Sequence, residues 1–186
     1  MAKQYVVGIS GASGAIYGVR LLEALKKQGV HTHLVVSKWG MENIRLELGE
    51  TSLASLADEL HDVDQLGASI ASGSFLYDGM FIVPASMKTC ASIAHGFSDN
   101  LIARAADVCL KEGRPLILSP RETPLSTIHL ENLLKLAQAG ARIVPPMPGF
   151  YNHPTSLDDV INHHVMKLLD QMGLHTRNEH RYTGEK

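Results

Sequence analysis

The sequence predicts a three-layer α/β/α fold in which helices cover both faces of a mostly parallel sheet. Apolar segments with the length and composition of buried strands alternate with helical patterns along the chain. The predicted strands are residues 5–7, 32–36, 79–84, 116–118 and 141–144. No linker, internal repeat or low-complexity segment divides residues 1–186, so we expect a single domain of the Rossmann-like, flavodoxin-like type.

The first turn, residues 8–14, has the sequence GISGASG and lies between a strand and a helix predicted at 16–25. A strand that ends at glycines and leads into a helix leaves backbone N–H groups pointing at one place, and the helix dipole makes that place positive. The turn therefore predicts an anion site, usually for phosphate, to which Ser10 and Ser13 can add hydroxyl donors. Its G-x-x-G-x-x-G spacing differs from the dinucleotide fingerprint, and a tight turn that binds nothing is the alternative.

Hydroxyl side chains follow the next two strands. Ser37 precedes a helix predicted at 38–48, and Ser86 and Thr89 stand three residues apart before a helix predicted at 90–95. These hydroxyls can contact a phosphate or the edge of a ring, or they can cap the helices, and the two roles are compatible.

The middle of the chain carries weaker patterns. Residues 52–60 are predicted to be helical, and residues 69–74 form a loop of small residues that either approaches a ligand or a neighbouring subunit or lies on the surface. The helix predicted at 100–112 is amphipathic and places Cys109 on its apolar side. We therefore interpret Cys109 as a core residue and not as a nucleophile.

Two proline-bounded loops follow the last two strands. Residues 119–124, SPRETP, hold Arg121 beside Glu122, a cation and a carboxylate suited to phosphate binding and proton transfer, with a surface ion pair as the alternative. Residues 145–151, PPMPGFY, end in two aromatic side chains that a stiff loop can hold as a wall. Helices are predicted at 126–139 and from 155 to about 172. Because every turn follows a strand, all lie on the edge where open α/β sheets bind ligands.

Composition and charge exclude several classes of function. The net charge is −2 and no basic run is longer than two residues, so nucleic acid is not an expected partner. No apolar leader precedes the first strand, and no segment approaches the roughly 18 apolar residues that span a bilayer. We expect a cytoplasmic protein without membrane contact, whose polar tail at 174–186 packs on a neighbouring subunit or is loose.

The ten histidines do not have the spacing of a metal centre. His31 and His33 alternate on a strand and face the same side, but no third ligand is near them in sequence. His163 and His164 point about 100° apart on a helix. No HExxH or CxxC pairing occurs, so the sequence predicts no metal site.

Taken together, the turns resemble the UbiX family of flavin prenyltransferases, whose members older descriptions call aromatic-acid decarboxylase subunits. The matching segments are GISGASGAIYG at 8–18, SK at 37–38, ASGS at 71–74, SMKT at 86–89, residues 100–111 with RPL at 114–116, RETP at 121–124 and PGFY at 148–151. The match covers nearly the whole chain in the expected order. The RETP and PGFY loops together are its most specific part.

The resemblance implies an enzyme that joins the dimethylallyl group of dimethylallyl monophosphate to N5 and C6 of reduced FMN. The product, prenylated FMN, is the cofactor of UbiD-type decarboxylases, which are the implied recipients. Lysine, arginine and tyrosine side chains suffice to hold the phosphate of a monophosphate donor, so no metal is implied. The family forms homododecamers with sites at subunit contacts, so residues 69–75 and the tail are expected to reach a neighbour's ligand.

The resemblance also implies roles for individual residues. The flavin would be held by Gly11, Ala12, Ser13, Ser37, Ser86, Met87, Lys88, Thr89 and Arg121. The allylic phosphate would be surrounded by Lys111, Arg121, Tyr151 and Lys167, with Arg104 close by. Glu122 would move protons during ring closure, and Ser13 would lie near N5. Lys167 stands where other members carry arginine, and Tyr182 stands where a tail tryptophan occurs elsewhere. Candidates for an apolar wall around the allyl cation are Trp39, Phe75, Phe150 and Tyr151.

Two other functions fit a flavin-binding sheet of this kind. An FMN-dependent peptidyl-cysteine decarboxylase would need a catalytic histidine, for which His95 is the candidate, although the RETP and PGFY loops count against this function. A non-catalytic FMN-carrying subunit of a decarboxylase would not need the additional cations that this chain displays.

Overall fold

The computed structural model describes residues 3–176, 181 and 184, and within them it shows a parallel sheet of six strands in the order β3-β2-β1-β4-β5-β6. The strands are β1 Gln4–Ile9, β2 His31–Val36, β3 Glu59–His61, β4 Gly79–Ala85, β5 Leu116–Pro120 and β6 Arg142–Ile143. Every neighbouring pair is parallel. The predicted α/β fold with a parallel sheet is confirmed.

Helices cover both faces of this sheet because its strands are apolar on both sides. The helices are α1 Ala15–Lys27, α2 Lys38–Leu48, α3 Met87–Ala94, α4 Leu101–Lys111, α5 Thr127–Gln138 and α6 Leu157–Asp170. Val6 and its neighbours on one face pack against α3, α4 and α5. Val7 and its neighbours on the other face pack against α1, α2 and α6. Alternate strand residues point to opposite faces, so the chain buries two cores.

The helix predicted at 52–60 is wrong. The chain forms a short 3₁₀ turn, Leu53–Ser55, and then the edge strand β3, which pairs with β2. The Asp58 carboxylate accepts hydrogen bonds from the backbone N–H of Thr32 at 2.8 Å and from its hydroxyl at 3.1 Å, which holds this segment against β2. Tertiary pairing therefore overrides the local helical pattern.

The start of the tail packs on its own chain, contrary to prediction. Leu174 is buried in the core beside α6, and the Arg181 guanidinium donates to both carboxylate oxygens of Asp170, at 2.9 and 2.6 Å. Tyr182, for which the sequence predicts a ligand contact, lies outside the described residues. Within the described part of the chain, none of the helices combines the length and the apolar character needed to cross a membrane.

Candidate active site

A cavity of about 400 Å³ opens at the carboxyl ends of β1, β2 and β4, and we call it the edge cavity. Its walls include Gly11, Ser37, Trp39, Ser86, Thr89 and Asn100. It lies where the strand order reverses between β1 and β4, which is the usual ligand position in open α/β sheets.

Three helices begin at the wall of the edge cavity, each with a side-chain cap. The Ser37 hydroxyl accepts from Gly40 N at 3.0 Å at the start of α2, and the Ser86 hydroxyl accepts from Thr89 N at 3.2 Å at the start of α3. Asn100 caps α4 in the same way. The positive ends of three helix dipoles therefore meet at one cavity, which favours a phosphate there.

The hydroxyls near this cavity differ in whether they are available to contact a ligand. Ser10 is buried, where its hydroxyl donates to Pro84 O at 3.0 Å and accepts from Ser86 N at 2.7 Å. Ser10 thus ties the end of β1 to the end of β4, and the sequence prediction of a ligand donor there is wrong. Ser86 and Thr89 hydrogen-bond to each other at 3.1 Å and still line the cavity. For Ser37 and Ser86, the predicted capping role is confirmed.

The glycine-rich turn is close to α2, which explains one of its glycines. A Cβ at Gly11 would lie 2.6 Å from the Cβ of Trp39, closer than carbon atoms approach. Trp39 itself is 71% exposed and lines the mouth of the edge cavity. Together with Val63 and Ile102 it gives the cavity an apolar part beside the helix N-termini.

Cations at the edge cavity are already paired with carboxylates. Lys38 lies 2.8 Å from Asp64, and this hydrogen bond raises the pKa of the lysine. Lys88 lies 3.2 Å from Asp99. Met87 is buried in the core, so it can contribute only backbone groups to a ligand. Ala12 is likewise buried.

A second cleft, of about 330 Å³, lies beside the glycine-rich turn, and we call it the Arg121 cleft. Its walls include Ser13, Gly14, Tyr17, Glu47, Arg121 and Ile161. The Glu47 carboxylate accepts from Gly14 N at 3.0 Å and from Ala15 N at 2.9 Å. These N–H groups at the start of α1 are therefore not open to a phosphate, and the predicted anion is supplied by the chain itself. Sequence reasoning missed Glu47, because 33 residues separate it from the turn.

Arg121 and Glu122 are exposed at the end of β5, as the sequence predicts. Arg121 N donates to Ala85 O at 3.2 Å, which fixes the start of the loop against β4. One Glu122 oxygen accepts from Thr123 N at 3.0 Å. Among the described residues neither side chain forms an ion pair, so the alternative of an Arg121–Glu122 surface pair is not observed.

Arg104 and Lys111 lie away from the edge cavity in the same chain. Lys111 is the last residue of α4, so at 1.5 Å per residue it lies about 16 Å from Asn100 along the helix. It pairs with Glu112. Arg104 donates to Ala71 O at 3.2 Å and to Asp107 at 2.9 Å. Residues 71–73 and these two cations thus form one surface, which we call the α4 surface.

Tyr151, in the loop before α6, and Lys167, on α6, form a third group. The Tyr151 hydroxyl lies 3.2 Å from His163 Nε2, and Lys167 follows His163 by one helical turn. Lys167 is exposed and lies about 15 Å along α6 from Leu157, which lines the Arg121 cleft. The four residues predicted to surround the allylic phosphate are therefore spread over three places in a single chain.

Other residues considered from the sequence as catalytic or cavity-wall candidates have contacts elsewhere in the fold. His95 ends α3 at the side away from the edge cavity, and its Nε2 lies 2.9 Å from Asn132 Oδ1 on α5. Burial raises the pKa of the Cys109 thiol to about 11, so Cys109 is a neutral core residue, as predicted. Phe75 packs against His33 with ring centroids 5.3 Å apart and belongs to the core, whereas Phe150 is exposed.

The edge cavity combines positive helix ends with an apolar wall, which defines an α/β protein that binds a phosphorylated ligand with an apolar part. The family model described as Flavoprotein matches residues 1–168. The flavin prenyltransferase LpdB of Lactiplantibacillus plantarum is 56% identical over 186 residues, 98% of this chain and 100% of that protein. The chain therefore belongs to the family of UbiX-like flavin prenyltransferases.

Solved structures are similar over nearly the whole chain. A dodecameric FMN-dependent UbiX-like decarboxylase from Escherichia coli O157:H7 has a TM-score of 0.95 at 52% identity, covering 97% of this chain and 100% of that one. AnUbiX in complex with FMN and dimethylallyl pyrophosphate has a TM-score of 0.93 at 44% identity, with both chains covered completely. The peptidyl-cysteine decarboxylase EpiD, at 19% identity and a TM-score of 0.61, shares the fold alone.

Proposed function

We propose that this protein is a cytoplasmic flavin prenyltransferase that joins the dimethylallyl group of dimethylallyl monophosphate to N5 and C6 of reduced FMN. The observation that carries the proposal is the likeness, over the complete chain, to the AnUbiX protein whose structure holds FMN and dimethylallyl pyrophosphate. The product, prenylated FMN, serves a UbiD-type decarboxylase. The chain acts as one flavin-binding domain.

The polar and apolar groups at the edge cavity support FMN as its ligand. The N–H groups at the starts of α2, α3 and α4, with the hydroxyls of Ser37, Ser86 and Thr89, suit the phosphate of FMN. The backbone at Gly11, Ala12 and Ser13 lies beside them and suits the edge of the ring. Trp39 provides an apolar wall, which protects a developing allyl cation from water.

The transfer step depends on cations and on a carboxylate. Lys111, Arg121 and Lys167, with the Tyr151 hydroxyl, hold the departing phosphate, and Arg104 adds positive potential nearby. Because these side chains neutralise a monophosphate, the transfer does not require a divalent cation. Glu122 moves a proton during ring closure, and Ser13 and Glu47 line the cleft next to Arg121.

The positions of these cations support an assembled site. Lys111 lies about 16 Å from the edge cavity of its own chain along α4, so it completes the site of a neighbouring subunit. The similar Escherichia coli O157:H7 protein is a dodecamer, and we infer the same assembly here. In that assembly the α4 surface of one subunit faces the Arg121 cleft of another.

The proposal is tested by incubating the purified protein with reduced FMN and dimethylallyl monophosphate and taking a mass spectrum of the extracted flavin. We expect a flavin that is heavier by one dimethylallyl unit. Parallel reactions with dimethylallyl diphosphate separate the two donor esters. An unmodified flavin would contradict the proposal and would leave an FMN-carrying subunit as the function.

A peptidyl-cysteine decarboxylase is less well supported by the site. Its catalytic histidine would have to be His95, which lies at the end of α3 away from the edge cavity and contacts Asn132. Oxidative decarboxylation of a cysteine-terminated peptide in the presence of FMN would favour this second function.

A further inference from the structure

A group of histidines and carboxylates lies at the edge of the sheet, outside the proposed active site. The histidine cluster consists of His31, His33, Glu59 and His61. His31 and His33 alternate on β2, and β3 places Glu59 beside His33 and His61 beside Val35. His33 is four residues before Ser37, which is about 13 Å along a strand, and no residue of the cluster is among those that line the edge cavity.

The ligand atoms of His31, His33 and Glu59 all lie within 4.8 Å of one another, close enough to share one metal ion. Glu59 Oε1 lies 3.2 Å from His31 Nε2, and Glu59 Oε2 lies 3.4 Å from His33 Nδ1. His61 Nε2 lies 3.1 Å from the same His33 nitrogen. Zinc bound to nitrogen and oxygen at about 2.0–2.1 Å separates neighbouring ligand atoms by about 3.3 Å.

Outer contacts orient the ligands as they do in metal sites. The Gln4 side-chain oxygen lies 3.4 Å from His33 Nε2, which places the proton on that nitrogen and leaves the Nδ1 lone pair facing Glu59. On the far side of the His31 ring, the Asp58 carboxylate lies 3.9 Å from Nδ1. With the proton on His33 Nε2, the Nδ1 lone pair can accept either a hydrogen bond from His61 Nε2, 3.1 Å away, or a metal ion.

We propose that the histidine cluster binds a zinc ion through His31 Nε2, His33 Nδ1 and the Glu59 carboxylate, with His61 beside the fourth position. Two imidazoles and a carboxylate are ligands that Zn²⁺ accepts, and three protein ligands leave a position for water or for His61. This inference is independent of the proposed prenyl transfer, because none of these residues lines the edge cavity or the Arg121 cleft.

The ion would fasten a weakly held edge strand. β3 has three residues, and both Glu59 and Leu60 are exposed. The chain leaves β3 directly into residues 62–64, of which Val63 and Asp64 line the edge cavity. A zinc ion that joins β2 to β3 therefore also fixes one wall of that cavity.

Calorimetric titration of the chelator-treated full-length protein with Zn²⁺ tests the site. We expect a single class of bound ion and a higher Tm, because a ligand that binds only the folded chain stabilises it. His31→Ala and Glu59→Gln change partly exposed side chains and should each lower Zn²⁺ affinity by more than about 100-fold, and His61→Ala by about 10- to 100-fold. His175→Ala is the matched control, since His175 forms a histidine–carboxylate pair with Asp170 away from the cluster.

The readouts are metal uptake and Tm, so they do not depend on prenyl transfer. Absence of Zn²⁺ uptake by the wild-type protein, or uptake that both His31→Ala and Glu59→Gln keep unchanged, would overturn the proposal and leave a hydrogen bond between His61 and His33 in the cluster. Should either variant fail to fold, Co²⁺ replaces Zn²⁺ in the wild-type protein. Intense tetrahedral d–d absorption then supports the site, and a weak octahedral spectrum contradicts it.

Discussion

The edge cavity and the α4 surface are built from the same kind of β–α unit, yet one chain completes only the first. Ser37 and Ser86 begin helices directly after strands and therefore lie at the carboxyl edge of the sheet, and Asn100, which begins α4, lines the same cavity. Lys111 ends α4 and Lys167 is in the last turn of α6. Lysines are favourable at helix C-termini, but in a parallel α/β fold those ends lie at the opposite edge.

From this difference we expect FMN binding to need one chain and departure of the allylic phosphate to need two neighbouring chains. The hydroxyl residues proposed to bind the FMN phosphate precede helices, so we expect a single chain to supply them. Of the side chains proposed to hold the departing phosphate, Lys111 and Lys167 lie in the last turns of helices, so we expect this step to require a neighbour in the assembly. Variants that change binding and turnover separately will test the division.

The largest effect is expected for Glu122→Gln. Glu122 is exposed and is not ion-paired to Arg121, so packing does not explain its position. Loss of a general acid–base group should slow ring closure by about 10²- to 10⁴-fold while FMN affinity stays unchanged. Single-turnover absorbance measures the rate, and Glu131→Gln, an exposed carboxylate on α5, is the control. A wild-type rate of ring closure in Glu122→Gln would contradict the proposed proton transfer by Glu122.

A similar loss is expected for Lys111→Ala, with one additional consequence. Removal of one group that stabilises developing negative charge should reduce turnover by about 10²- to 10³-fold and leave FMN affinity intact. When Lys111→Ala and Glu122→Gln subunits are dissociated and assembled together, about one composite site in four should carry both wild-type residues. Recovered activity is expected if Lys111 acts on a neighbour. A mixture that stays inactive would place Lys111 in the site of its own chain.

The α6 region should respond to acid through His164. This residue is buried, its Nε2 lies 2.9 Å from the Ser119 hydroxyl, and burial lowers its pKa from 6.5 to about 4. Between these pH values the unfolded chain takes up a proton that the folded chain does not, so stability falls with pH by about 3 kcal/mol. Thermal unfolding is measured between pH 7 and 4 at fixed protein concentration. The free energy of unfolding should depend less steeply on pH in His164→Gln than in the wild-type protein. Equal slopes would exclude His164 as the cause.

The sequence predicted the edge cavity well because its features are local. Each hydroxyl follows an apolar strand within a few residues, and a parallel sheet necessarily brings such positions to one edge. The capping of α2 and α3 by Ser37 and Ser86 follows from the same short range.

What the sequence did not predict depends on contacts between distant residues. One such contact is the hydrogen bond from the start of α1 to the Glu47 carboxylate, and another is the pairing of β3 with β2. Both join segments that are far apart in sequence, so no local pattern predicts them. The position of Glu59 beside His31 and His33 was not predicted for the same reason, because residues 52–60 look helical when read alone. The separation of Lys111 from Asn100 follows from the length of α4, which the sequence does contain.

A smaller effect, on binding alone, is expected for the double change Ser86→Ala and Thr89→Ala. Loss of hydroxyls that contact the FMN phosphate should weaken FMN affinity by about 1–2 kcal/mol, or roughly 5- to 30-fold, in a fluorescence titration. Ser126→Ala is the matched control, because Ser126 caps α5 in the same way but does not line the edge cavity. Unchanged FMN affinity in the double variant would move the phosphate away from the start of α3.

The smallest effect is expected for chelation, which should leave turnover at saturating FMN unchanged in EDTA. Lysine, arginine and tyrosine side chains are proposed to hold the departing phosphate, and they would neutralise its charge without a divalent cation. His33, one of the proposed zinc ligands, lies about 13 Å from Ser37 along β2, so we do not expect an ion there to touch the substrate. Chelation should therefore lower Tm and leave the rate as it was. A loss of turnover that Mg²⁺ restores, without a change in Tm, would place a cation in the transfer step. It would contradict the division between a phosphate site formed by side chains and a metal ion that only stabilises β3.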